Sequence, residues 1–115
     1  MPTAMIDTHF ENRSEDLRAL YDRLVALTEK FGPVEQDPKK TSIHLNRKTA
    51  FAGVAVRKDC LVLTIKSDRP VKSKRVFKSE QTSAKRFHHE IKLTKPGDLD
   101  AELKGWLHRA YELSE

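Results

Sequence analysis

The stretch AKRFHHEIKLT, Ala84 to Thr94, sets His88, His89 and Glu90 side by side between two basic residues and an apolar run. Imidazole and carboxylate groups are ligands for divalent metals and the working parts of acid–base catalysis, so chemistry is first sought in this triplet. The surrounding apolar residues recur at every second position, as in a strand. Phe87, His89, Ile91 and Leu93 then share one face, while His88, Glu90 and Lys92 share the other. Adjacent histidines on a strand point apart and cannot share an ion. No HxxxH, CxxC or carboxylate pair elsewhere supplies further ligands at a recognisable spacing, so neither a metal nor another cofactor is expected. His89, on the apolar face, reads as a hydrogen-bonded histidine at the core edge or as the polar group of a pocket, where a neutral imidazole donates or accepts.

Nucleophilic chemistry has as little support. Cys60 is the one cysteine in the chain and opens an apolar strand just after a short polar turn. A reactive thiol needs a helix N-terminus or a cationic neighbour to lower its pKa, so Cys60 reads as structural. A single cysteine also excludes an internal disulfide framework and fits a reducing cytoplasm. GxSxG, Walker A, HExxH and GxGxxG patterns are all missing. No catalytic residue is assigned, and an enzymatic reading rests on no motif.

Charge is the stronger signal. The formal net charge is +5, and it is unevenly spread. Residues 1–38 hold 4 Lys/Arg against 8 Asp/Glu, residues 39–95 hold 16 against 4, and residues 96–115 hold 2 against 5. A basic middle between acidic ends suits a polyanion partner or a well-solvated sheet. Arg69, Lys72, Lys74, Arg75, Lys78, Lys85 and Arg86 fall in one stretch that reads as a loop able to follow a phosphate backbone. Arg47, Lys48, Arg57 and Lys58 add a second group at strand ends. Phe77 or Phe87 could stack on an unpaired base. Aromatics are not interleaved with the cations, however, and no helix-turn-helix, RRM or KH signature occurs. The leading expectation is a non-enzymatic binding module that meets nucleic acid or another polyanion through backbone charge. The alternative is a small-molecule-binding or protein-interaction domain with a pocket near His89.

These residues must be positioned by a small set of elements. From Asn12 to Phe31, Leu17, Leu20, Leu24, Leu27 and Phe31 recur at spacings of three and four, the apolar face of a helix. Asn12 or Ser14 can cap its start, and Gly32 with Pro33 ends it. TSIHLNR, TAFAGVAV and CLVLTIK read as successive strands, the last two joined by a hairpin at Arg57 to Asp59. Leu61, Leu63 and Ile65 share one face of a central strand whose other face is also largely apolar, and Gly53 is read as a bulge or a close backbone approach. Residues 66–86 lose the pattern and read as a long exposed loop with at most a short strand at Val76 to Lys78. After the FHHEIKL strand, Asp98 reads as the N-cap of a last helix from about Leu99 to Leu113, with Leu99, Leu103, Trp106, Leu107 and Ala110 inward.

The expected fold is therefore α+β: a two-layer domain in which an antiparallel sheet of about five strands is flanked by an N-terminal and a C-terminal helix. Residues 1–115, 37% hydrophobic, are material for a single domain, with 1–11 as a loosely ordered leading segment. No signal-peptide pattern and no apolar run of spanning length occur, so a soluble cytoplasmic protein without membrane contact is expected. Composition leaves the oligomeric state open.

Particular residues also resemble a known family. Lys40, Thr41 and Ile43 match a K-T-x-[IV] strand opening, and His89, Ile91 and Leu93 match an H-x-[IV]-x-L strand. Trp106, Leu107, Ala110 and Tyr111 match a helix ending W-L-x-x-A-Y. Over roughly Leu17 to Glu112 the chain resembles DUF5655, a bacterial family known as a domain of unknown function. Its C-terminal part is also similar to YjbR-like small α+β proteins, for which nucleic-acid binding has been suggested. The resemblance implies an architecture and supplies no substrate, cofactor or catalytic residue.

Overall fold

Why the chain folds as it does is clearest in its second helix. In a computed structural model describing residues 2–71 and 73–114, this helix, α2, runs Glu15–Glu29. It buries Leu17, Leu20, Tyr21, Leu24, Val25 and Thr28, the stripe its apolar spacing demands. Ser14, not Asn12, is the N-cap, its hydroxyl accepting from Leu17 N at 3.3 Å. Asn12 instead takes a left-handed conformation (φ 59) that turns the chain into α2. At the other end Gly32 has φ +149, and a Cβ there would collide with the Tyr111 hydroxyl. Glycine is required at that position by both backbone and space.

Within the leading segment, helix α1 runs Pro2–His9, and Ile6 and Phe10 lie in the core. The ring of Phe10 lies 5.3 Å from that of Tyr21, and Arg18 sits over it at 5.1 Å while bonding Asp7 at 2.6 Å. An eight-residue helix is not stable by itself, so these docking contacts hold it.

The sheet has six strands, one more than expected: β1 Glu35–Pro38, β2 Ile43–Asn46, β3 Ala50–Val56, β4 Leu61–Ser67, β5 Val76–Ser83 and β6 Arg86–Leu93. All neighbours are antiparallel, in the order β1-β2-β3-β4-β6-β5. A register shift lies between Leu45 and Asn46, whereas Gly53 pairs regularly with His44 and Thr64, so the bulge is not at the glycine. The long loop expected over 66–86 is corrected: β4 continues to Ser67 and β5 is a full strand. Its residues are almost all exposed because it is an edge with one neighbour, so side-chain polarity hides a pairing made through the backbone.

Because β6 lies between β4 and β5, the connection 68–75 must cross β6 to reach the sheet edge. A 3-10 turn, Pro96–Asp98, then leads into α3, Ala101–Glu112. Here a second expectation is corrected, because Asp100 and not Asp98 is the N-cap, accepting from Leu103 N at 3.0 Å. Asp98 bonds backward to Thr94 N at 2.8 Å and closes the preceding turn. Leu103, Leu107, Ala110 and Tyr111 of α3 join Ile43, Leu45, Val54, Leu61, Leu63, Ile91 and Leu93 of the sheet in one core. Helices pack on that face, while the face bearing His44, Thr64, Lys66, His88 and Glu90 is only partly covered.

Candidate ligand-binding site

Strands β4, β5 and β6, helix α3 and the crossing connection line a cavity of about 380 Å³ at the end of β4 and the middle of β6. Its apolar lining is Ile65, Val71, Val76, Ile91 and Trp106, and its polar lining is Lys66, Ser67, Asp68, Arg69, His89 and Arg109. Strand alternation explains the floor. Ile65 faces His89 across the β4–β6 pair, and Val76 and Ile91 are partners across β5–β6, so these side chains share the helix-bearing face. Connection 68–75 and the outer turns of α3 form the walls.

His89 is buried, 3% exposed, and both ring nitrogens are engaged. Nε2 lies 3.1 Å from the carbonyl oxygen of Arg69, which can only accept, so Nε2 carries the proton. Nδ1, 2.8 Å from Ser79 Oγ, then accepts from that hydroxyl in the neutral ring. Phe87 stacks on the imidazole at 6.0 Å and 9°. His89 is thus a fastener that ties the connection to the sheet, with no free lone pair for a metal or a proton transfer.

At the cavity rim Asp68 accepts from Arg109 Nη2 at 2.7 Å and from Arg69 Nε at 3.2 Å. The hydrogen bond from Arg109, then that from Arg69, hold its carboxyl down at about 2. Asp68 in turn raises the Arg109 guanidinium above its usual value. Ser67 Oγ donates to Arg69 O at 2.7 Å and shapes the start of the connection. Lys66 ends β4 with its ammonium donating to Ser114 Oγ at 2.9 Å and Thr49 Oγ1 at 3.1 Å. Burial, then the nearby Arg86 charge, lower its pKa. It forms no ion pair among the described residues.

Of the seven cations read as a polyanion surface, the six described ones are dispersed. Arg75 Nη1 bonds Asp100 at 2.8 Å and Glu102 at 3.4 Å, Nη2 bonds Asp98 O, and the guanidinium lies 5.9 Å over the Trp106 ring. Arg69 is paired with Asp68, and Lys78 lies 3.7 Å from Glu90. Lys72 lies outside the described residues. Lys85 and Arg86 stand at the β5–β6 turn, whereas Lys74, Arg75 and Lys78 stand at the far end of β5. Most of the length of β5 separates the two groups. Arg57, Lys58 and Lys92 meet Phe77, itself 52% exposed, around a shallow open groove.

Side chains of His88 and His89 diverge as strand geometry requires, His88 facing Lys66 and Glu80 across its two partners. Among the described residues no group of three His, Cys, Asp or Glu side chains is placed to hold a metal ion, and no helix is long and apolar enough to cross a membrane. Sequence reasoning identified His89 but not Asp68, Trp106 or Arg109 as its neighbours. The available signals were Asp68 directly after a strand, and the Trp106 to Arg109 spacing of three, which puts both on one helix face.

The arrangement is a fastened connection over a partly apolar cavity on the sheet of an α+β domain. Residues 6–114 match the model of the domain of unknown function DUF5655, and the chain belongs to that family. No curated protein and no solved structure matches it.

Proposed function

We propose that this domain is a non-enzymatic binding module that takes a small, largely apolar molecule in the cavity beside His89. The observation that carries the reading is the cavity itself. About 380 Å³, with an apolar surface from Ile65, Val71, Val76, Ile91 and Trp106 and polar residues around it, lies within the range of about 300–1,000 Å³ usual for ligand sites. The saturated hydrogen bonding of His89 favours holding over reacting. A screen of neutral aromatic and branched aliphatic fragments by thermal shift tests it. Binding at 100 times Kd stabilises the native state by about 2.7 kcal/mol, and the shift should vanish in Trp106→Ala and shrink in His89→Ala. No shift from any fragment, or one unchanged in both variants while circular dichroism reports native folds, overturns it.

A second reading, a cytoplasmic bacterial protein that meets nucleic acid or another polyanion, is favoured by one observation. Lys74, Lys85 and Arg86 carry no ion pair among the described residues. The similarity of the C-terminal stretch to YjbR-like proteins points the same way. Filter binding with duplex and single-stranded DNA and RNA decides it. Affinity should fall steeply with salt and drop in Lys85→Ala with Arg86→Ala, and no binding at low salt removes the reading.

A further inference from the structure

The charges around the cavity are unbalanced. Three cationic residues, Lys66, Arg69 and Arg109, line it with a single acid, Asp68; Lys66 belongs to the opposite face of β4 and reaches the end of α3 through its ammonium, which donates to Ser114. Arg69 and Arg109 each commit one nitrogen to that carboxylate, which fixes their positions and leaves their remaining N–H donors. The ammonium of Lys66 meets only the hydroxyls of Thr49 and Ser114. Of the other acids nearby, Asp100 and Glu102 are engaged by Arg75 beside Trp106, and Glu112, on the same helix as Arg109, interacts with its charge and leaves the cations in excess. Below this rim lie Ile65, Ile91 and Trp106, which offer a ligand no polar partner except the indole N–H.

We infer that the ligand is a compact apolar molecule bearing one anionic headgroup, a carboxylate or a phosphate. Its body would lie on the Ile65, Ile91 and Trp106 surface, and its charge would meet Arg109 and Lys66 at the mouth. Asp68 is a positioning residue in this arrangement, because it holds two guanidiniums side by side without neutralising both. A partly desolvated cluster of net positive charge gains most from an anion, since charge-assisted hydrogen bonds are the strong ones. A neutral ligand would leave that charge uncompensated.

The inference rests on the cavity being a ligand site, and the test separates the two. Titration calorimetry compares probes that share one apolar body: phenylacetate, phenyl phosphate, 2-phenylethanol and 2-phenylethylammonium. At least one of the two anions should bind about tenfold or more tightly than the alcohol, and the two anionic arms tell carboxylate from phosphate. That preference should collapse in Arg109→Gln and in Lys66→Met, should fall with added salt, and should persist in Lys58→Gln at the opposite end of β4. Equal binding of alcohol and anions, or tightest binding of the ammonium, overturns the anionic headgroup and leaves the ligand site standing. If no probe binds, both fall.

Discussion

His89 shows how one side chain can look like chemistry and act as a fastener. Its ring joins Ser79 on the edge strand to the Arg69 carbonyl on the crossing connection. A second residue-scale device is Gly32, where φ +149 and the Tyr111 hydroxyl leave no place for a methyl group. Gly32→Ala should cost about 1–3 kcal/mol of stability, read as a lower urea midpoint with an unchanged slope. It should also disturb the Tyr111 hydroxyl, which donates to Pro33 O at 3.0 Å. Asp68 gives a pH signature. Its folded value, about 2, lies below its ordinary 3.8, so its contribution is fully present above pH 3.8 and disappears as pH falls through about 2. Urea midpoints followed from pH 5 downward should show a shallower acid decline in Asp68→Asn than in the natural chain. Parallel declines would mean that Asp68 pairs no better folded than unfolded. His89 was legible as an inward-facing residue from alternation alone. Its neighbours Asp68 and Arg109 were not, because a rim assembled from distant segments leaves no local pattern.

At the scale of elements, legibility followed the strength of the apolar period. Helices α2 and α3, with five apolar residues each in register, were readable to within a few residues, and so were β2, β3, β4 and β6. What escaped was held by other forces. α1 is short, with Ile6 and, just beyond its end, Phe10 among its anchors; β1 is four polar-rich residues, and β5 is an exposed edge. Each exists because a neighbour supplies docking surface or backbone partners. Ile6→Ala should therefore remove α1 as a unit, costing about 2–5 kcal/mol and lowering helical circular dichroism. Connection 68–75 escaped for a different reason, since its order comes from tethers to distant segments: His89 to the Arg69 carbonyl, Arg109 to Asp68, and Arg75 to the start of α3. Arg75→Ala should speed amide exchange through 68–75 while costing only about 1 kcal/mol globally, because its carboxylate partners are half-exposed and screened.

At the scale of the whole molecule, the core runs unbroken from Ile6 of α1 through the sheet to Tyr111 of α3, with β4 at its centre. Leu61 and Leu63 of β4 are fully buried, and each has an antiparallel partner on both sides. A core of this kind offers no seam along which part of the chain could unfold first. Leu63→Ala should lower stability by about 2–5 kcal/mol. It should do so in one step, with the fluorescence of Trp106, the only tryptophan, and the far-ultraviolet circular dichroism falling together. Trp106 packs at the margin of the core beside the cavity, so its signal would separate from the backbone signal if the cavity wall melted independently. Amide exchange refines the expectation. β4 and β6 should exchange only through global unfolding, while β5 and β1, each bonded on one side, should exchange by smaller openings. Two resolved transitions, or equal protection in β5 and β4, would show instead that the half of the sheet bearing the cavity is a separate cooperative unit.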